Sequence, residues 1–195
     1  MVKLSHEQRS ALEAEVDAAL AAGRARDAQA LLIERYGPEL LSFLSAVHHD
    51  RDAAAEVFSQ TCEDLLRTFD GFRRECSWRT WLYALAKNAS RHHREAGAGR
   101  VAVALSDAPQ LEAARRTTTA AFMRTDWKDR FRSLRETLSP DDRALLVLRV
   151  DRDLPWEDVA RVLGDGATPA ALRKRFERIK LALKEGATQA GWLDP

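Results

Sequence analysis

Residues 154–185 read LPWEDVARVLGDGATPAALRKRFERIKLALKE. Pro155 suits a first helical turn, Val159, Ala160 and Leu163 recur at helical spacing, and Gly164 ends that short helix. Thr168 is an N-cap residue, and Pro169 follows it at the first position of a second helix. Leu172, Phe176, Ile179 and Leu183 form one stripe of that longer helix. A short helix, a glycine-containing turn and a longer helix make the helix-turn-helix pattern. The rest of the second helix carries Arg173, Lys174, Arg175, Arg178, Lys180 and Lys184, with Glu177 the one acid before Glu185. A helix of that charge can enter a major groove, its first turns at base edges and its other bases on phosphates. The bland alternative is a solvated basic helix.

The chain reads as helical nearly throughout: Ala, Leu, Glu and Arg dominate and no alternating β-branched run occurs. Helices are expected over Pro140–Val150 and Trp127–Thr137. Residues 96–121, rich in Ala, Gly and Thr, hold no apolar period and read as a mobile tether. Upstream, Ser5 and Gln8 make a capping box, and Gly23 ends the first helix. A second helix begins near Asp27, Gly37-Pro38 breaks it, and Pro38 opens a third bearing Leu41, Leu44 and Val47. A fourth runs from about Asp52 to Phe69, and Ser77 caps a fifth that turns Trp78, Trp81, Leu82, Leu85 and Ala89 inward. The expected fold is all-α: two small helical domains on a flexible linker, the C-terminal one a helix-turn-helix. The boundaries are an N-terminal helical extension over 1–27, a first domain over 28–97, a linker over 98–126 and a second domain over 127–190.

The first domain has its own cationic surface. On the helix begun by Ser77, Thr80, Tyr83, Lys87, Arg91 and Arg94 are expected to face outward. Cations with an aromatic edge suit a phosphate backbone and unstacked bases. The preceding loop, Asp70 to Cys76, could close over one extruded base. Core packing accounts for most of the area of Trp78 and Trp81.

Composition bounds the alternatives. The 195 residues carry 31 Lys+Arg against 30 Asp+Glu, a net charge of +1, so only local charge distribution speaks to a nucleic-acid partner. No apolar run approaches the roughly 18 residues of a membrane span, so no membrane partner is expected. The first residues, MVKLSHE, hold no apolar signal core, and Cys62 and Cys76 cannot build a disulfide framework; a cytoplasmic protein is expected. Catalytic orders of Ser, His and Asp and phosphate loops are absent, so neither enzyme activity nor a cofactor is expected. A zinc site from His48, His49, Cys62 and Cys76 is conceivable, but its spacing fits no common finger.

Residues 72–88, FRRECSWRTWLYALAKN, resemble the promoter-melting segment of bacterial extracytoplasmic-function sigma factors of the sigma-70 family. Residues 138–149, LSPDDRALLVLR, with the helix-turn-helix after them, are similar to the C-terminal DNA-binding domain of that family. The resemblance implies a protein that binds core RNA polymerase and directs it to particular promoters. It implies that Phe72, Arg73, Arg74, Ser77, Thr80, Tyr83, Lys87, Asn88, Arg91 and Arg94 hold the single strand of the −10 element. By the same resemblance Thr168, Ala170, Arg173, Lys174, Arg175, Glu177 and Arg178 read the −35 duplex, and Glu56, Ser59, Gln60 and Glu63 meet the coiled coil of the polymerase β′ subunit. Further partners of the family are anti-sigma factors and, in one branch, a Ser/Thr kinase.

The chain departs from the family pattern twice. The turn between Leu163 and Leu172 is longer by about two residues. Where the family carries an acidic Asp-Ala-Glu-Asp run, this chain has Ala53-Ala54-Ala55-Glu56. A phosphate of about −1.5 to −2 charge would restore what is lost. The candidates are Ser59, Thr61 and Thr68; Ser59 is expected to face solvent and Thr61 to lie at the edge of the apolar stripe, and the resemblance, to a branch switched by a Ser/Thr kinase on a threonine of this helix, makes Thr61 the expected phosphorylation site. The competing reading is a polymerase-independent helix-turn-helix regulator with an N-terminal sensory or dimerising domain.

Overall fold

The computed structural model describes residues 4–104 and 133–192, and these form helices and turns with no strand among them. Helix α1 (His6–Ala21) starts on the expected capping box: the Ser5 hydroxyl accepts from the Gln8 N–H at 3.2 Å, and the Gln8 side chain accepts from the Ser5 N–H at 2.8 Å. It ends at Gly23, whose φ of 73° lets the Arg24 N–H fold back to the Ala19 carbonyl at 2.9 Å.

Helix α2 (Ala25–His48) runs unbroken through Gly37 and Pro38, where two helices were expected. Proline removes one ladder bond and crowds the preceding turn. Leu32, Tyr36, Leu40, Phe43, Leu44 and Val47 make one buried stripe past it, and that burial outweighs the local cost. Gly37 has a packing role here, since a β-carbon on it would stand 3.2 Å from the Phe58 ring of the next helix. Helix α3 (Arg51–Thr68) is capped by Asp50, whose carboxylate accepts from the N–H groups of Asp52 and Ala53. A tight turn over Phe69–Gly71 and a loop lead to helix α4 (Trp78–Ala104), where the Ser77 hydroxyl accepts from the Thr80 N–H at 3.0 Å. Helix α4 passes the expected linker boundary at residue 98 and runs to Ala104. The rest of the expected linker, and the start of the helix expected from Trp127, lie outside the described residues.

The C-terminal half resumes with a helical turn over 133–136. Helix α5 (Pro140–Leu146), capped by Ser139, widens into a single π-type turn over Val147–Asp151, so the expected helix over Pro140–Val150 ends in a wide turn. Helix α6 (Trp156–Leu163) and helix α7 (Pro169–Gln189) complete the helix-turn-helix. Leu145, Leu148, Leu154, Val159, Val162, Leu172 and Ile179 are buried with Leu12, Val16, Leu32, Phe43, Val57 and Leu82 of the first half in one continuous cluster. The two halves meet: α4 packs on α6, and α2 on α5.

The α2–α3 contact makes a stability prediction. Gly37→Ala gains about 1 kcal/mol of helix propensity and needs a shift of only a few tenths of an ångström from Phe58, so it should be near neutral. Gly37→Val should cost about 1–3 kcal/mol by overpacking. Thermal denaturation of both variants checks the order.

Candidate nucleic-acid interface

The loop before α4 is held by one carboxylate. Asp17 of α1 accepts from Arg74 at 2.6 Å and from the Trp78 indole N–H at 3.1 Å. Burial would raise its pKa, but these hydrogen bonds outweigh it and hold Asp17 below its ordinary value. Arg74 takes a left-handed φ of 57°, unusual for a side chain of its size, with its guanidinium over the Trp78 ring. Phe72 stacks on Trp81 at 4.6 Å and leans on Trp78 at 4.4 Å. The loop bounds a cavity of about 370 Å³ lined by Phe72, Arg73, Cys76, Thr80, Trp81 and, from α6, Arg161. Arg73 and Arg74 are exposed, and Ser77 and Phe72 are half-buried.

The expected outward face of α4 is not at the surface. Thr80, Tyr83 and Lys87 are buried, and Arg91 and Arg94 are half-buried. Helix α6 packs on this side, and α5 reaches it through Asp141. Asp141 of α5 receives Lys87 Nζ at 2.9 Å and Arg94 Nη2 at 3.1 Å, and Asp165 receives Arg91 at 3.4 Å. Burial raises the Asp141 pKa, and the hydrogen bond and charge of Lys87, with those of Arg94, more than reverse it. Asn88 is exposed on the other side of the helix. Beneath the same face lies a network that sequence reasoning missed. Glu39 of α2 accepts from Arg79, at 3.0 Å from Nε and also from Nη2, and from the Tyr83 hydroxyl at 2.7 Å. Arg79 also donates to the Arg152 carbonyl, and Arg152 donates to Ser42 Oγ at 3.0 Å and to the Glu39 carbonyl at 3.3 Å. The available signal was a carboxylate at helical spacing on an apolar stripe: Leu32, Tyr36, Glu39, Phe43.

In the helix-turn-helix, Gly164, Asp165 and Gly166 all have positive φ, at 65°, 53° and 72°, in the turn between α6 and α7. The Thr168 hydroxyl caps α7 by accepting from the Ala171 N–H. Thr168, Ala170, Arg173, Lys174, Glu177 and Arg178 are exposed along one side of α7. Arg175 is not with them. It is half-buried and donates to Asp142 of α5 at 2.7 Å, so it fastens α7 to α5.

On α3, Glu56, Ser59, Gln60 and Glu63 are exposed and line a groove of about 770 Å³ facing α4. Thr61 is 1% exposed and its hydroxyl donates to the Val57 carbonyl at 2.7 Å. The expected edge position is therefore an interior one: Thr61 falls on the Val57–Leu65 side of the helix, whereas Ser59 is at the surface. Among the described residues, no group of three or more His, Cys, Asp or Glu side chains is placed to hold a metal ion, and no helix is long and apolar enough to cross a membrane.

Residues 32–99 match the family model for sigma-70 region 2. The chain is 26% identical over 141 residues to the RNA polymerase sigma-H factor of Pseudomonas aeruginosa, covering 68% of this chain and 73% of that one. It is 26% identical over 171 residues to the RNA polymerase sigma factor YlaC of Bacillus subtilis, covering 85% and 95%. The fold of the chain is similar to that of the sigma factor RpoE from Bartonella quintana, solved with the anti-sigma factor NepR, at a TM-score of 0.62 and 18% identity over 78% of this chain and 92% of that one. It is similar to that of CnrH, solved with the cytosolic domain of CnrY, at a TM-score of 0.62 and 20% identity over 91% and 98%.

Burial in α3 and beside α4 sets two expectations for stability. Thr61→Asp puts a carboxylate into the interior and should cost on the order of 3 kcal/mol, whereas Ser59→Asp should cost about 0.5 kcal/mol or less; denaturant melts separate them. His48 lies against Ser90 at 2.8 Å and beside His93, and burial, then His93, Arg94 and Arg143, lower its pKa from 6.5 to about 4. The unfolded chain therefore binds this proton first, and His48 should make stability fall as pH drops from 6.5 towards 4. His48→Gln should flatten that stretch of the stability–pH curve.

Proposed function

We propose that this chain binds core RNA polymerase and directs transcription initiation at specific promoters. The observation that carries the reading is the region 2 match over residues 32–99, which spans the aromatic loop pocket and the cations of α4. In this reading residues 28–97 engage polymerase and the melted −10 strand, residues 98–126 link, residues 127–190 read the −35 duplex, and residues 1–27 extend the first unit. Phe72 and Arg73 line the pocket for an extruded base, Arg74 and Ser77 lie in the same loop, and Thr80, Tyr83, Lys87, Asn88, Arg91 and Arg94 continue the strand path. Thr168 and Ala170 begin the duplex-facing side of α7, with Arg173, Lys174, Glu177 and Arg178 along it. Arg175 holds that helix in place. Glu56, Ser59, Gln60 and Glu63 form the polymerase-facing side of α3, towards the β′ coiled coil.

The chemistry divides between positioning and reading. Lysine and arginine on phosphates bind without regard to sequence and release counterions, so they set affinity and its salt dependence. The aromatic loop supplies stacking for an unpaired base. Phosphorylation in α3 would supply the charge that Ala53 and Ala55 lack, with Ser59 directly accessible and Thr61 reachable only when α3 parts from its neighbours. An anti-sigma factor is the alternative route of control.

In vitro transcription with core polymerase on a promoter library tests the function. Specific initiation dependent on both proteins is expected. Specific gel shifts of duplex promoter DNA without core polymerase, and no stimulated transcription with it, would instead support a polymerase-independent regulator. Alanines at Lys87, Arg91 and Arg94 should reduce open-complex formation tenfold or more and lower its salt dependence, and alanines at Arg173, Lys174 and Arg178 should weaken duplex binding. Unchanged open-complex formation would refute the strand assignment.

A further inference from the structure

We infer that Asp17 of α1 is a positioning residue for the strand pocket: its carboxylate holds Arg74 and Trp78 together and thereby sets the loop that presents Phe72 and Arg73. The inference rests on the proposed reading of that pocket as the seat of an extruded base. The loop has little of its own to hold it. Among the described residues, 73–76 make no backbone–backbone hydrogen bond. Arg74 takes a left-handed φ of 57°, a conformation that a residue with a long side chain keeps only under outside restraint. That restraint comes from α1. Asp17 Oδ1 accepts from Arg74 Nη2 at 2.6 Å and from the Trp78 indole N–H at 3.1 Å. The same two residues are joined a second time, with the Arg74 guanidinium 5.6 Å from the centre of the Trp78 ring. Trp78 passes the constraint on: its ring meets Phe72 at 4.4 Å, and Phe72 stacks on Trp81 at the pocket wall.

Helix α1 is a fixed support for this contact. Leu12, Val16 and Ala19 are buried, and the helix packs on α2. Glu13, one turn before Asp17 on the same side, faces the backbone N–H groups of Trp78 and Arg79. The Ser77 hydroxyl takes the Thr80 N–H of that first turn, so Glu13 stands at donors the Ser77 cap leaves over, at the positive end of α4. The two carboxylates grip the start of α4 at two points, Glu13 at the helix end and Asp17 at the loop before it. A pocket already held in one form binds its base without first ordering the loop, and the ordering cost avoided appears as affinity. Asp17 acts through Arg74 and Trp78 and not on the strand itself. Its loss is therefore felt at the one base the pocket holds, and not along the phosphates.

The test uses holoenzyme assembled from core polymerase and the full chain, with the non-template strand of one promoter recovered from the library transcription experiment. Affinity is measured for the intact fluorescent oligonucleotide and for a series in which each base in turn is replaced by an abasic site. Affinity of the chain for core polymerase is measured alongside. Wild type should lose about tenfold at one position, the scale of a single stacked base. Asp17→Ala should bind the intact strand about tenfold more weakly and show no further loss at that position, with its profile elsewhere and its core affinity unchanged. Asp17→Asn, which keeps the shape and loses the charge, should show a smaller change at the same position, and it decides alone if Asp17→Ala does not assemble with core. Glu15→Ala removes a carboxylate from the exposed side of α1 and should match wild type. Asp17 variants that keep both the wild-type affinity and the wild-type position of sensitivity overturn the positioning. A loss spread evenly over all positions, or shared by Glu15→Ala, reduces the effect to stability or net charge and overturns it as well. A wild type with no sensitive position overturns the base pocket itself, and the inference falls with it.

Discussion

The carboxylate of Glu39 is the constraint around which the rest is arranged. It sits on the apolar stripe of α2, almost without exposure, and a charge in that position is tolerated only when fully paired. Arg79 and Tyr83 of α4 supply the pairing, which fixes both the rotation and the height of α4 against α2. Arg79 then has a donor left for the Arg152 carbonyl, and Arg152 returns to α2 through Ser42. Three elements distant in the chain are thus held by one polar cluster in which each charged group has a partner. Breaking such a pair by deleting one partner costs about 3–5 kcal/mol, comparable to the whole margin of many domains.

Fixing α4 this way decides what its remaining faces can do. Trp78, Leu82 and Ala89 are committed to the core of the first half. The side bearing Lys87, Arg91 and Arg94 is turned towards Asp141 and Asp165 of the C-terminal half, and the Asn88 side faces solvent. A helix buried on two sides cannot present its cations to a ligand without moving a neighbour. That neighbour meets them with carboxylates, as the charge of Lys87 and the arginines requires.

This double burial is also why part of the site was illegible in the sequence. Helical periodicity marks one apolar stripe, and it placed Trp78, Leu82 and Ala89 correctly. A second contact made of Thr80, Tyr83, Lys87 and Arg94 is polar, and polar residues on a helix read as solvated until the covering element is known. The local signals were legible because their physics is local: the Ser5–Gln8 box, the Ser77 and Thr168 caps, the glycine at 23 and the helix-turn-helix all depend on residues within a turn of each other. Pro38 misled for the converse reason. Its cost is local, but the buried stripe that outweighs it belongs to the packing of α2 against α1 and α3. The family resemblance, by contrast, was legible because residues 72–88 carry it in a contiguous run.

Helix α3 shows how geometry sharpens a sequence departure. Of the positions that match the family's acidic run, Ala54 is fully buried, and the pattern itself has alanine there. The departure is thus confined to Ala53 and Ala55, of which Ala55 is exposed and Ala53 half-buried. One turn on from Ala55, Ser59 stands on the same side and bonds back to the Ala55 carbonyl, so a charge added there would fall close to the lost one. Thr61 lies about 200° around the helix from Ser59 by helical geometry, with its hydroxyl engaged by Val57 in the interior. A charge on Thr61 could not simply replace the missing carboxylate. It would have to turn or loosen α3 to reach solvent, and α3 carries the groove that faces α4. Modification at Ser59 would therefore act as a surface charge, whereas modification at Thr61 would act by changing the packing of the helix that bears it.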